Sequence, residues 1–278
     1  MINLFRDARL KTSTVILFVI TLSLGLPPVG GIAHAKELTA LEVMQSVEDR
    51  DEGDNMISEM SMILIDKRGN ERIRNLQSFT KFKGEDKKRI MFFLHPADVK
   101  GTGFLTYDYD DEAKDDDQWL FLPALRKSKR IASGDKDGSF MGSDLTYADM
   151  TSRNLPDYEF KMMPEKEVGG KPCYVISSTP NKKAKDETGY DKSIIFIRKD
   201  NFMLVRSLNW ITKGKKQKYF DVKKLELIDN IWTATEIHVF VKKDKKLLHK
   251  TILKFNGVKY NQNLDESMFT VRALEKGL

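Results

Sequence analysis

The chain has 278 residues, 40% hydrophobic and 32% charged, with 47 Lys and Arg, 41 Asp and Glu, four His and a single Cys. A formal charge of +6, with Lys and Asp interspersed rather than pooled, is too weak and too mixed for a nucleic-acid surface. The lone Cys173 excludes an internal disulfide in a monomer, and no other feature gives a redox role.

At the N-terminus Arg6, Arg9 and Lys11 precede an apolar run from Val15 to Leu26, which Pro27 and Pro28 end. Ala33-His34-Ala35 supplies small residues at the two positions that a signal peptidase reads, so residues 1–35 are expected to be a cleaved signal peptide. The run is short for a bilayer span, although an uncleaved N-terminal anchor is the alternative. No Cys is near the cleavage site to carry a lipid. The expected product is residues 36–278, soluble in the periplasm after export across the inner membrane, with a formal charge of +4. No Pro/Gly/Ser-rich linker divides it, so one domain is expected; Asn181–Thr188 reads as a solvated loop.

Helical signal is concentrated just after the cleavage site. Thr39 and Glu42 have capping-box spacing, Leu38 and Val43 are placed for a hydrophobic staple, and Leu41, Met44 and Val47 recur at three-residue steps. One amphipathic helix is expected over 39–50. From Met56 the period changes to two, and strands follow at about ten-residue spacing. Candidate ranges are 56–65, 71–83, 89–94, 103–109, 118–122, 158–164, 173–178, 192–198, 203–212, 217–227, 231–242 and 246–255, and of these twelve about ten or eleven are expected as strands. Gly, Asn, Asp and Lys turns separate them, and no alternation of strand and helix suggests a parallel sheet.

Strand 246–255 alternates, with Thr251, Leu253 and Phe255 opposite Lys250, Ile252 and Lys254. By contrast 90–94, 119–122 and 194–197 are apolar on both faces, so part of the sheet is covered twice. A large curved antiparallel sheet with few helices encloses an apolar interior. Met60, Met62 and Leu64 share one strand face, and Phe79, Phe92, Phe104, Trp119 and Phe121 are expected to join them as a lining; an ordinary solid core is the other reading.

Catalytic and metal chemistry find little support. His34 falls in the signal peptide, and His95, His238 and His249 lack metal-ligand spacing; only His238 and His249 could meet, across neighbouring strands. Cys173 reads as buried packing, and Ser143 in Met141-Gly142-Ser143-Asp144 lacks nucleophile-elbow spacing. The acidic run 108–117 fails the EF-hand pattern: counted from Asp108, the sixth and twelfth positions are Ala113 and Trp119 where Gly and Glu are needed. It reads as a solvated hairpin tip. No enzyme and no cofactor are expected.

Between these parts lies the most diverse stretch of the chain, Trp119 to Met150: an aromatic strand stopped by Pro123, the basic run Arg126-Lys127-Ser128-Lys129-Arg130, and a loop with Gly142, Ser143, Asp144, Tyr147 and Asp149. Arg130 is a candidate partner for one of the two Asp, closing the loop as a latch. Arg126, Lys127 and Lys129 are then left for anionic headgroups or an acidic partner, at about 1 kcal/mol per charge near a membrane. A basic, merely solvated loop is the alternative.

WLFLPALRKSKRI followed by SFMGSDLTYADM resembles the LolA-like family of outer-membrane lipoprotein-sorting proteins, as do HPADVKGTGFL at 95–105, DNIWTATEIHV at 229–239 and LDESMFTVRAL at 264–274. The resemblance covers nearly all of 36–278. It implies a mainly β fold, a single curved antiparallel half-barrel closed by an N-terminal helix and loops, with acyl chains of a lipoprotein or other lipid held inside. It does not imply that the cargo is a lipoprotein; the expectation drawn from it together with the residues is a monomeric periplasmic carrier acting towards the outer membrane, with an inner-membrane exporter and an outer-membrane acceptor as candidate partners. A non-catalytic accessory or sensor of an envelope lipid-export system is the alternative. On the carrier reading, the N-terminal helix and the Lys129–Asp149 loop form an adjustable lid.

Overall fold

The computed structural model describes residues 37–82, 86–111 and 113–278; the segment expected to be a signal peptide lies outside them. The first helix, α1 (Ala40–Glu48), begins as its sequence dictates: the Thr39 hydroxyl accepts from the Glu42 amide at 3.2 Å, and the Glu42 carboxylate accepts from the Thr39 amide at 2.7 Å. Its buried face is Ala40, Val43 and Met44 with Val47 packed beside them. Leu41, expected on that face, is 54% exposed, because the i, i+3, i+4, i+7 stripe starts at residue 40.

Thirteen strands follow: β1 (Asn55–Asp66), β2 (Glu71–Lys81), β3 (Asp86–His95), β4 (Gly103–Tyr109), β5 (Asp117–Leu122), β6 (Lys127–Arg130), β7 (Tyr158–Val168), β8 (Lys171–Pro180), β9 (Tyr190–Arg198), β10 (Leu204–Ile211), β11 (Lys216–Ile228), β12 (Ile231–Lys243) and β13 (Lys246–Tyr260). All pair antiparallel in one open sheet ordered β6-β5-β4-β3-β2-β1-β13-β12-β11-β10-β9-β8-β7. Every neighbour is also a neighbour in sequence except β1 and β13, which join two meanders. Short connections suit this arrangement: Asp229-Asn230 turns between β11 and β12 with both residues at positive φ, as a two-residue hairpin loop requires.

The count exceeds the ten or eleven expected, partly because the basic run is itself a strand. β6 pairs Lys127 to Arg130 against β5 and forms one edge of the sheet. A short, Lys-rich edge discourages pairing with a second sheet, which is a structural use for these charges. The opposite edge, β7, is blunted by Pro164 and by a register shift between Met163 and Lys166. Asn181–Thr188, read as a loop, contains a helix, α2 (Lys182–Thr188): Asn181 caps it by accepting from the Ala184 amide at 2.9 Å, and Gly189 ends it at φ +72°. With Ala184 its one buried residue, it carries no apolar stripe to read.

Both faces of the sheet are covered. Segment 131–157 and α1 lie over the inner face, and the C-terminal helix α3 (Val271–Lys276) over the outer face of β3–β5. Contact there is close: a Cβ on Gly103 would stand 2.6 Å from Leu274 Cδ1.

Candidate functional site

Register decides which residues face the interior. On β1, Met60, Met62 and Leu64 are 5%, 0% and 1% exposed. Met60 pairs with Leu76, and Leu76 with Phe93. One pleat along, Ser78 pairs with Met91, Met91 with Phe104 and Phe104 with Leu120, so these side chains share the inner face. Phe79 pairs with Ile90, Ile90 with Leu105 and Leu105 with Trp119, while Phe92 and Phe121 flank Gly103. Phe79, Phe92, Trp119 and Phe121 therefore point outwards and pack beneath Phe269 and Leu274. Four of the eight expected lining residues thus lie on the opposite face: strands that are apolar on both faces give no sign of which face is which, and a step of one residue reverses it.

Over the centre of the inner face is a cavity of about 400 Å³ whose wall includes Met56, Met60, Met62, Met91, Met150 and Met203, with Phe220, Ile237, Leu253 and Phe255. Such a volume is within the usual range for small-molecule sites. Methionine thioethers are flexible and polarizable, so the wall adapts to occupants of differing shape. Leu64 and Phe104 belong to the solid core beside the cavity.

Leu145, Asp149 and Met150 close one side, and the loop that carries them is held by the residues singled out as a latch. Phe140 is the plug, fully buried with its ring centroid 4.9 Å from Phe104 and 5.8 Å from Tyr147. A tight turn follows: Met141 and Gly142 have φ of +50° and +70°, and the Ser143 hydroxyl donates to the Phe140 carbonyl at 2.7 Å and accepts from the Leu145 amide at 3.2 Å. That geometry explains Gly at 142 and gives Ser143 a turn-closing role. Asp144 then reaches β13: its carboxylate accepts from the Thr251 hydroxyl at 2.8 Å and meets His249 Nδ1 at 2.7 Å. Tyr147 packs on Phe104 and Phe140, and its carbonyl accepts from Gln118 Nε2 at 2.9 Å.

Asp149 makes the most bonds. Its carboxylate accepts from Lys218 Nζ at 2.8 Å, from the Tyr190 hydroxyl at 2.7 Å and from the Thr146 amide at 2.7 Å. Lys218 and Asp149 side chains are 3% and 8% exposed. Burial and the adjacent carboxylate raise the Tyr190 hydroxyl well above its ordinary pKa, so it stays a donor. Arg130, expected to close the latch, binds Asp117 instead, on the outer side of the β5–β6 edge. The cation that closes it, Lys218, was missed; only its place in an otherwise alternating strand hints at an inward Lys. His238 and His249 do not meet, because His238 pairs with Ile252 and His249 with Val241; His238 instead contacts Glu236.

Arg126, Lys127 and Lys129 are exposed. The acidic run is more than a solvated tip: the Asp108 carboxylate accepts from the Ser152 amide at 2.8 Å, and Asp115 pairs with Lys183 of α2 at 3.0 Å. Burial, and then the nearby Asp108 carboxylate, push the Asp116 carboxyl up to about 6. Among the described residues no group of three or more His, Cys, Asp or Glu is arranged to hold a metal ion. Cys173 is buried, and burial raises its thiol pKa. No helix among the described residues is long and apolar enough to cross a membrane.

Comparison with known proteins gives the fold a place. A DUF1329 family protein from Desulfovibrio piger superposes with a TM-score of 0.76 at 28% identity, covering 84% of this chain and 97% of that one. A domain from Vibrio parahaemolyticus, provisionally named an outer membrane lipoprotein-sorting protein, matches with the same TM-score of 0.76 and 28% identity over 85% of this chain and 98% of its own. A LolA superfamily protein from Nitrosomonas europaea matches at 0.64 with 17% identity, over 85% of this chain and all of its own, and bears on the fold alone. No curated protein matches. A family model described as a "-like" uncharacterised protein matches residues 85–276. The chain belongs to the family that this model describes, and its open antiparallel sheet is shared with the LolA superfamily structure.

Proposed function

We propose that this protein is a non-catalytic periplasmic carrier that holds the acyl chains of a lipoprotein or another lipid on the inner face of its sheet, for transport towards the outer membrane. The observation that carries this reading is the methionine-lined cavity of about 400 Å³ beneath a loop tied down by Asp144 and Asp149. Each buried methylene contributes about 0.8 kcal/mol, so a chain of a dozen offers on the order of 10 kcal/mol gross. Delivery needs part of this offset by a conformational change. In this reading α1 and the 129–149 loop are the moving cover, and Arg126, Lys127 and Lys129 are offered to anionic headgroups or to an exporter or acceptor protein.

Extraction of the purified protein followed by lipid mass spectrometry tests the idea. A reproducible co-purifying amphiphile is expected. A clean protein that also fails to take up an acyl-chain probe refutes the carrier. Hydrogen exchange unchanged in both cover segments on lipid uptake removes the moving cover.

A further inference from the structure

The interior changes character along the sheet. The inner-face row Met56, Thr80, Arg89, Thr106, Gln118 crosses five adjacent strands by direct cross-strand pairing, and its fourth and fifth members, with Thr80 and Arg89, make it mostly polar. Two pleats further along lie the wholly apolar Met60, Leu76 and Phe93. Beside the apolar cavity is a second recess of about 170 Å³, which includes Lys87, Lys88, Thr106, Asp108 and Ser152 in its lining. The two share Glu52, Phe82, Arg89, Asp149 and Met150. Arg89 thus stands where an apolar compartment meets a polar one.

Its guanidinium is underused. Among the described residues its side chain makes one hydrogen bond, from Nε to Thr80 Oγ1 at 3.2 Å, and no carboxylate lies within ion-pair distance of it. The acids nearby are already engaged: Asp108, the carboxylate that acts most on Arg89, by the Ser152 amide at 2.8 Å, Glu52 by Lys87 at 2.8 Å and by Arg50 at 3.4 Å, Asp149 by Lys218 at 2.8 Å, and Asp51 by the Gly53 amide at 2.9 Å. Arg50, on the wall of the apolar cavity, also has spare capacity: Nη1 is 2.8 Å from Met203 Sδ, and the buried Nε has no hydrogen-bond partner. Desolvation weighs on Arg89, yet a guanidinium stays protonated and its planar fork of donors matches a phosphate or carboxylate. Asp108 and Glu52 favour the charge on Arg89 only from beyond ion-pair distance, so a half-buried cation of this kind still gains from an anion brought within hydrogen-bond reach by the ligand.

We infer that the cavity takes amphiphiles bearing an anionic headgroup, with the apolar tail among the methionines and the anion in the polar recess against Arg89. This rests on the carrier reading and adds the headgroup class to it. Titration calorimetry on the purified protein with dodecyl phosphate, dodecyl maltoside, dodecyltrimethylammonium and inorganic phosphate tests it, each dodecyl compound being kept below its micelle concentration. Dodecyl phosphate is expected to bind tightest, roughly tenfold to a hundredfold above the maltoside, the range that charge-assisted hydrogen bonds supply. Arg89→Gln is expected to abolish that preference, and Arg89→Lys to keep part of it.

Equal affinity for the three dodecyl compounds in the unaltered protein overturns the inference and leaves the carrier standing; this arm needs no variant to fold. Inorganic phosphate binding as tightly as dodecyl phosphate also overturns it, since the site would then be one for a free anion. Binding of none of the dodecyl compounds removes the carrier reading and the inference together.

Discussion

Asp149→Ala is the sharpest perturbation of the latch. It deletes the acceptor of three hydrogen bonds, from Lys218, Tyr190 and Thr146, and leaves the Lys218 ammonium, 3% exposed, without its counterion. Breaking a buried pair from one side costs about 3–5 kcal/mol. At about 1.4 kcal/mol per tenfold, the loop is expected to open about a hundred to several thousand times more often. Hydrogen exchange reads this directly: the amides of Phe140, Tyr147 and Ala148, which donate to Leu145, Gly138 and Lys136 carbonyls, are expected to lose protection, while those of β12 and β13 keep theirs. An acyl-chain probe is expected to dissociate faster in parallel. Asp144→Ala, which removes the carboxylate's ties to His249 and Thr251 while the residue 144 amide keeps its bond to Thr251 Oγ1, is expected to show the same pattern in weaker form. Replacing both charges, Asp149→Leu with Lys218→Met, removes the uncompensated ammonium and is expected to recover much of the stability but not the Tyr190 tie. The latch is refuted if the loop amides do not change, or if the loop and the central strands lose protection equally.

Two further outcomes are expected. Asp116 has a folded pKa of about 6 against an ordinary 3.8, so between these values the folded state holds the extra proton and stability falls as pH rises. Asp116→Asn is therefore expected to be neutral below pH 4 and to stabilise by about 1–3 kcal/mol above pH 6, in urea titrations at the two pH values; a gain that is the same at both would refute the assignment. Gly103→Ala drives a Cβ to 2.6 Å from Leu274 Cδ1 beneath α3 and is expected to cost about 1–3 kcal/mol in thermal unfolding, with Leu274→Ala in the same chain relieving it. No recovery in the double variant would show that the loss arises elsewhere.

Much of the fold was legible because its signals are local. The capping box at Thr39 and Glu42 involves residues three apart, and a turn such as Asp229-Asn230 depends on two residues that tolerate positive φ, so helix α1 and most strands are read within a residue or two. What escaped had weak or ambiguous local signals. Strand β6 is a run of charges that becomes a strand only because β5 offers it a ladder, and α2 has one buried residue. In the latch the elements Asp144, Tyr147 and Asp149 stood out, whereas Arg130 was paired with the wrong acid.

The sequence by itself determined a meandering antiparallel sheet, its helix start and the loop around Gly142, since each follows from backbone preferences and alternation along a short piece of chain. Only the tertiary structure decided which aromatics face the interior, because Phe92, Trp119 and Phe121 sit in strands apolar on both sides, Phe79 sits in a largely polar one, and register with distant neighbours selects the face. It alone paired Asp149 with Lys218 and placed Arg89 between an apolar and a polar compartment. Those contacts join residues far apart along the chain, and their energies depend on burial that exists only once the sheet has formed.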